Sequence, residues 1–428
     1  MFASSLITPM QHGKREKVMK NKTIRRVGAV MLMMSLLFMQ GCGGKDTVQE
    51  YTNAGTSIED IIYGKLDVST EEVGESVNSK EQAALDILAE MTLEEKVYQM
   101  FIVKPETLTG YDEVNASTSI TKGWLEKYPV GGLIYTSSNI LEKKQTSEML
   151  HNTTNSAMEL QGMPIFLCVD EEGGSIVRVA GNEKMGVTNV GPMNELEDKA
   201  AATQAGATIG KYLFELGFNV NLAPVADVLT NEENTVVADR SFGSDPIVVR
   251  DYAEAYSDGL HSQNILSTYK HFPGHGATTE DSHKGIAIIE KTYEEMLQSE
   301  LVPFEDAESA DVDFVMVGHI SVPNITGDNT PSSLSEKMVT DVLRKDFGYT
   351  GLIITDGMEM KAITDNYTTE EATVKAIQAG VDIILKPEDF HASVAAILKA
   401  VEDGTITEER INESVLRIIK KKLEIKTQ

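Results

Sequence analysis

From Met100 onward the chain repeats one pattern eight times, a short apolar run followed by a longer amphipathic stretch. The runs cover residues 100–103, 132–135, 164–169, 219–225, 266–271, 314–318, 352–355 and 381–385. Each has the length of a strand and is rich in β-branched or aromatic residues. The intervening stretches, among them 141–160, 195–216, 248–263, 293–308, 335–344, 369–379 and 391–402, carry helical spacing. Strands that are apolar throughout and alternate with helices predict a parallel sheet covered by helices. Eight units predict closure into a (β/α)8 barrel, an α/β fold of one folded domain. An open doubly wound sheet is the competitor. It lacks support, because no Gly-x-Gly-x-x-Gly follows the first run.

Ahead of the barrel the sequence changes character. Lys14, Arg15, Lys17, Lys20, Lys22, Arg25 and Arg26 form a basic stretch, an apolar run follows from Val27 to Met39, and Gln40-Gly41-Cys42-Gly43-Gly44 closes it. Basic, apolar and small-residue regions in that order predict a secretory signal, and the apolar run is too short for a confident membrane span. Met39-Gln40-Gly41-Cys42 resembles a bacterial lipobox, with methionine where leucine is usual, so Cys42 is the expected lipidation site. Residues 1–41 are then signal, with Met19 a more typical start than Met1. Residues 43–80 are polar and acidic, which suits a flexible tether. The folded domain is expected over 81–428, with ordered sequence beginning near Ser79.

Composition bounds the partners. A hydrophobic content of 41% with 24% charged residues is that of an ordinary globular chain. The formal net charge of −28 opposes binding to a phosphate backbone, so no nucleic-acid partner is expected. The one cysteine besides Cys42 is Cys168, in an apolar run, which leaves no disulfide or cysteine-based metal site.

Charged residues collect where the apolar runs end, at Asp170, Asp227, Lys270, His271, His319, Asp356 and Lys386. In a (β/α)8 barrel those ends form one rim, the face on which catalytic groups assemble. His271, His275 and His283 crowd the segment after the fifth run. Asp281 and His283 are two residues apart, so in extended backbone they share a side, and the carboxylate could orient the imidazole for proton transfer. A turn cap is the simpler role for Asp281. Asp356 could serve as nucleophile, metal ligand or helix cap. Metal binding has weak support, because neither His-x-His nor His-Glu-x-x-His is present. Glu172 reads as a structural hydrogen-bonder, and His319 as either pocket lining or packing.

Lys270-His271-Phe272-Pro273-Gly274-His275-Gly276 with Asp281-Ser282-His283 resembles the signature of the β-N-acetylglucosaminidases of glycoside hydrolase family 3. Asp170-Glu171-Glu172-Gly173-Gly174, Asp239-Arg240-Ser241-Phe242-Gly243 and Thr355-Asp356-Gly357-Met358 resemble further segments of that family in the same order. The resemblance implies a retaining mechanism in which Asp356 is the nucleophile and His283, paired with Asp281, the acid/base. It implies that Asp170, Arg178, Arg240, Lys270 and His271 hold the sugar, with no cofactor and no metal. The expected activity is removal of terminal β-linked N-acetylglucosamine, with peptidoglycan fragments as the natural glycan. The expected protein is an exported monomer, held to the outer face of the membrane by its lipid. β-Glucosidase or β-xylosidase specificity and phosphorolysis are the enzymatic alternatives. An inactive sugar-binding lipoprotein is the non-enzymatic one.

Overall fold

The computed structural model describes residues 70–278 and 285–427, with side chains from Ser79 onward. The signal, Cys42, most of the tether, and Asp281 and His283 lie outside the described residues. Eight parallel strands form the centre: β1 (Phe101–Val103), β2 (Gly132–Tyr135), β3 (Phe166–Val169), β4 (Val220–Asn221), β5 (Thr268–Phe272), β6 (Phe314–Val317), β7 (Leu352–Thr355) and β8 (Ile384–Leu385). One sheet runs β8-β1-β2-β3-β4 and the other β5-β6-β7. Parallel bridges from Val220 to Leu266 and from Ile354 to Ile383 join the two sheets at both seams, which closes the barrel. Every residue of these strands is buried, as parallel strands covered by helices require.

The barrel interior holds an aromatic pair near its base and charged groups at its rim. Phe166 and Phe314, the first residues of β3 and β6, meet edge to face at 5.3 Å. Strand residues two apart share a side, so Phe166 is followed on the same side by Cys168 and then by Asp170. Asp170 stands just beyond the end of β3, at the C-terminal rim.

The helices match the predicted stretches with two differences. Residues 293–308 form two separate turns, Tyr293–Met296 and Val302–Glu305, instead of one helix. Pro303 has no N–H to donate, so it is accommodated in the first turn of the second piece, and the spacing is not filled by one continuous helix. The first helix begins at Thr70, inside the stretch assigned to the tether, and runs to Glu90. Once nucleated, a helix gains one hydrogen bond for each residue it adds, so polar sequence can be recruited. Beyond the predicted stretches, a last helix, Glu408–Lys422, brings Lys422 to the barrel base, where its Nζ lies 5.4 Å from the Phe166 ring centroid.

Two helices support the site from outside. Lys199–Leu216 and Pro246–His261 pack closely because Gly206 and Gly259 carry no side chain at their contact: a Cβ on Gly206 would stand 2.0 Å from the Tyr256 carbonyl oxygen. From these helices the Tyr212 hydroxyl donates to Glu171 (2.8 Å) and the Tyr256 hydroxyl to the Glu172 carbonyl (3.3 Å).

Candidate active site

Asp170 opens a short hairpin, Glu171–Gly173 paired with Ile176–Val177. Glu171 is fully buried and fastens this hairpin, accepting the backbone N–H groups of Arg178 (2.6 Å), Val179 (2.7 Å) and Ala180 (2.8 Å). The hairpin thereby holds Asp170 and Glu172 toward β5.

Lys270 is buried there, with its Nζ 2.8 Å from Asp170 Oδ1 and 2.6 Å from Glu172 Oε1. Arg240 closes the other side of Glu172 with a two-pronged contact, Nε to Oε2 at 2.6 Å and Nη2 to Oε1 at 3.0 Å. Burial pushes both carboxyls up. The neighbouring cations, Lys270 foremost for Asp170 and Arg240 for Glu172, outweigh it and hold both below the usual range. The Lys270 ammonium is depressed by burial but raised further by the same carboxylates, so it stays charged. The predicted sugar-binding residues Asp170, Lys270 and Arg240 are thus brought together through Glu172, the structural hydrogen-bonder that the sequence suggested. Arg178 contributes positive potential at Asp170. Its side chain forms no ion pair among the described residues.

His271 follows Lys270 at the end of β5. Its backbone N–H donates to Asp227 Oδ1 (3.0 Å), and its Nδ1 lies 2.7 Å from Asp227 Oδ2. A carboxylate only accepts, so Nδ1 carries the proton, and Nε2 has no hydrogen-bond partner among the described residues. Asp227 is fully buried and also accepts the His275 N–H at 2.6 Å. Burial raises its carboxyl, but His271 and His275 lower it further, and it remains an anion. His275 holds the loop in place: its carbonyl takes the Asn234 amide (2.8 Å), and its Nδ1 meets the Thr278 hydroxyl (2.8 Å). Gly274 lets this loop approach Glu300, since a Cβ there would come within 2.6 Å of the Glu300 Cβ, and its φ of 125° is left-handed besides.

Asp356 follows β7. Its Oδ1 accepts the Gly357 N–H at 2.7 Å, and Oδ2 has no donor among the described residues. Burial would push this carboxyl up; His271, His319, Lys386 and the Gly357 N–H together pull it well below the usual carboxylate range. His319 is fully buried, with Nε2 3.0 Å from the Gly357 carbonyl and Nδ1 2.8 Å from the Ser333 hydroxyl. It braces the turn that carries Asp356, which combines the packing and pocket roles that the sequence left open.

Among the described residues the site is therefore an ionised carboxylate with one oxygen free of donors, an oriented imidazole, and a Lys–Arg–carboxylate cluster rich in hydrogen-bonding groups. Such a set suits a polyhydroxylated substrate attacked by a carboxylate. The partnership of Asp227 with His271 was not legible in the sequence. Its signal was limited to an acidic residue shortly after an apolar run.

Residues 92–421 match the model described as the Glycosyl hydrolase family 3 N terminal domain. The chain is 30% identical over 325 residues to β-hexosaminidase A of Pseudoalteromonas piscicida, covering 70% of this chain and 54% of that protein. It is 34% identical over 268 residues to the β-hexosaminidase LpqI of Mycobacterium tuberculosis, covering 60% of this chain and 67% of that protein. A solved glycoside hydrolase family 3 β-N-acetylglucosaminidase from Paenibacillus sp. str. FPU-7 superposes with a TM-score of 0.73 at 33% identity, over 78% of this chain and 62% of that one. The chain belongs to glycosyl hydrolase family 3.

Proposed function

We propose that this family 3 glycoside hydrolase removes terminal, non-reducing β-linked N-acetylglucosamine and retains configuration at the anomeric carbon. The observation that carries the reading is Asp356, an anion with one oxygen held by Gly357 and the other without a donor among the described residues. In the first step its free oxygen bonds to the anomeric carbon while the glycosidic C–O bond breaks. His283, oriented by Asp281, gives the leaving oxygen its proton, and later takes one from the water that cleaves the glycosyl ester. Both residues lie outside the described residues, so their part rests on the motif. Asp170, Lys270, Arg240 and His271 bind the sugar, with Arg178 beside Asp170. The two β-hexosaminidase relatives and the β-N-acetylglucosaminidase structure support this specificity.

Purified protein should release nitrophenol from p-nitrophenyl N-acetyl-β-glucosaminide far faster than from the β-glucoside. The reverse order, or turnover of neither, would sink the assignment. The lipobox-like Met39-Gln40-Gly41-Cys42 supports export and anchoring by a lipid on Cys42, with peptidoglycan fragments as the nearby glycan. Labelling with radioactive palmitate in the producing bacterium should mark the wild-type chain and spare Cys42→Ala.

A further inference from the structure

Three strand ends meet at one side of the mouth. Because β8 pairs with β1 and is bridged to β7, Lys386 after β8, Lys104 after β1 and Glu359 after β7 become neighbours. Lys104 Nζ lies 2.6 Å from Glu359 Oε2, while Lys386 Nζ is 3.5 Å from Glu359 Oε1. The first is a full charge-assisted hydrogen bond. The second is longer than the roughly 2.7–2.9 Å of such a bond, and an ammonium has three protons to donate. Two cations thus share one carboxylate, and Lys386 makes no other ion pair among the described residues.

Two further features mark Lys386. Its backbone has a φ of 43°, an uncommon left-handed conformation for a residue with a side chain. Its side chain also lies against Gly357: a Cβ at that position would stand 3.0 Å from Lys386 Cε and 3.2 Å from Nζ. The residue after the nucleophile therefore leaves room for this ammonium. The charge of Lys386 acts on both Asp170 and Asp356, so it faces the sugar pocket. The side chains of Lys386, Lys104 and Glu359 are 21%, 33% and 33% exposed, open to an arriving ligand. On a chain with a net charge of −28, an anionic substrate meets repulsion unless cations stand at the mouth.

We infer that Lys386 and Lys104, spanned by Glu359, form an oxyanion subsite at the mouth of the pocket that takes a carboxylate or phosphate group. The inference rests on the glycosidase reading of the same pocket. The oxyanion has two sources, a carboxylate carried on the leaving sugar or free phosphate acting as an acceptor in place of water. In the second case a phosphate oxygen bonds to the anomeric carbon as the Asp356 ester bond breaks, and sugar 1-phosphate leaves.

Calorimetric titration of the full chain tests this with three probes: N-acetylmuramic acid, which bears a carboxylate, neutral N-acetylglucosamine, and inorganic phosphate. One or both anionic probes should bind about tenfold more weakly to Lys386→Met and to Lys104→Met, with Lys386→Arg preserving affinity and the neutral sugar less affected. Thermal melts of each variant exclude misfolding as the cause. A carboxylate-specific loss identifies the leaving sugar as the source. A phosphate-specific loss, with sugar 1-phosphate seen by phosphorus NMR, identifies the acceptor. Equal affinities in wild type and both methionine variants overturn the subsite. Turnover of the neutral nitrophenyl glycoside is scored separately: its absence with anion binding intact would reject the glycosidase reading and leave the subsite standing.

Discussion

The two ends of the barrel both bury carboxylates among cations, yet they use them differently. At the base, Asp382 precedes β8 and is fully buried. It is paired with Arg344 and with Arg417 (3.1 Å), and it accepts the Ser414 hydroxyl (2.6 Å) and the Ile353 N–H (3.0 Å). Asp313, just before β6, is likewise filled by His261 (2.8 Å), Lys421 (2.9 Å) and the Ser267 N–H (2.8 Å). At the rim, among the described residues, Asp356 Oδ2 and His271 Nε2 have no hydrogen-bond partner, and Lys386 meets a single carboxylate, at 3.5 Å. At the base Asp382 and Asp313 are saturated and so tie helices to strands. The rim withholds partners and so leaves groups for a substrate. Saturation, more than residue type, separates a structural cluster from a reactive one.

Substitutions at the two ends should therefore fail in opposite ways. Asp356→Ala should lower kcat on the nitrophenyl glycoside by at least about 10³-fold, with little change in the melting temperature. A variant with near wild-type turnover would remove Asp356 from the mechanism. Asp382→Ala leaves Arg344 and Arg417 without their carboxylate and should cost about 3–5 kcal/mol in denaturant unfolding, while activity per folded molecule survives. An unchanged unfolding midpoint would show that this cluster does not hold the base together.

Asp227 sits between the two cases, a saturated carboxylate at the reactive end. Asp227→Asn should reduce kcat/KM by about 10²-fold through misplacement of His271, with a smaller loss of stability. Loss of stability without loss of rate would move it to the structural group. The smallest effect concerns Lys422, whose Nζ donates to Gln99 Oε1 at 2.7 Å and whose pKa burial pushes down to about 7. Since lysine in the unfolded chain titrates near pH 10.4, the unfolded state binds more protons between the two values, and stability rises with pH across that window. Below pH 7 the cost of the buried charge is present in full. Lys422→Met should thus compare more favourably with wild type at pH 6 than at pH 9, as read by thermal melts. A pH-independent difference would contradict this.

Much of this could be read before the fold was known. The periodicity located all eight strands, and the residues ending them included Asp170, Lys270, His271, Asp356 and Lys386. The helix broken at Pro303 was an error of a local kind, a proline overlooked inside helical spacing. The helical start at Thr70 was harder to foresee, because polar composition alone does not tell a tether from a helix extension. Arg178 was predicted to hold the sugar and stands near Asp170 through its charge, while its backbone N–H fastens Glu171.

The sequence by itself determined the number and order of the βα units and which charged residues end the strands, because apolar spacing and strand length are local properties. The tertiary structure alone decided which charges meet and which stay open. Asp227 fills His271 Nδ1 across 44 residues, Glu172 is taken by Arg240 across 68, and Lys104 reaches Glu359 across 255. Such pairings arise only when closure of the barrel brings distant strand ends onto one ring. That Asp356 Oδ2 meets no donor among the described residues is likewise a fact of that ring, since a group is unsatisfied only relative to the neighbours that the fold supplies.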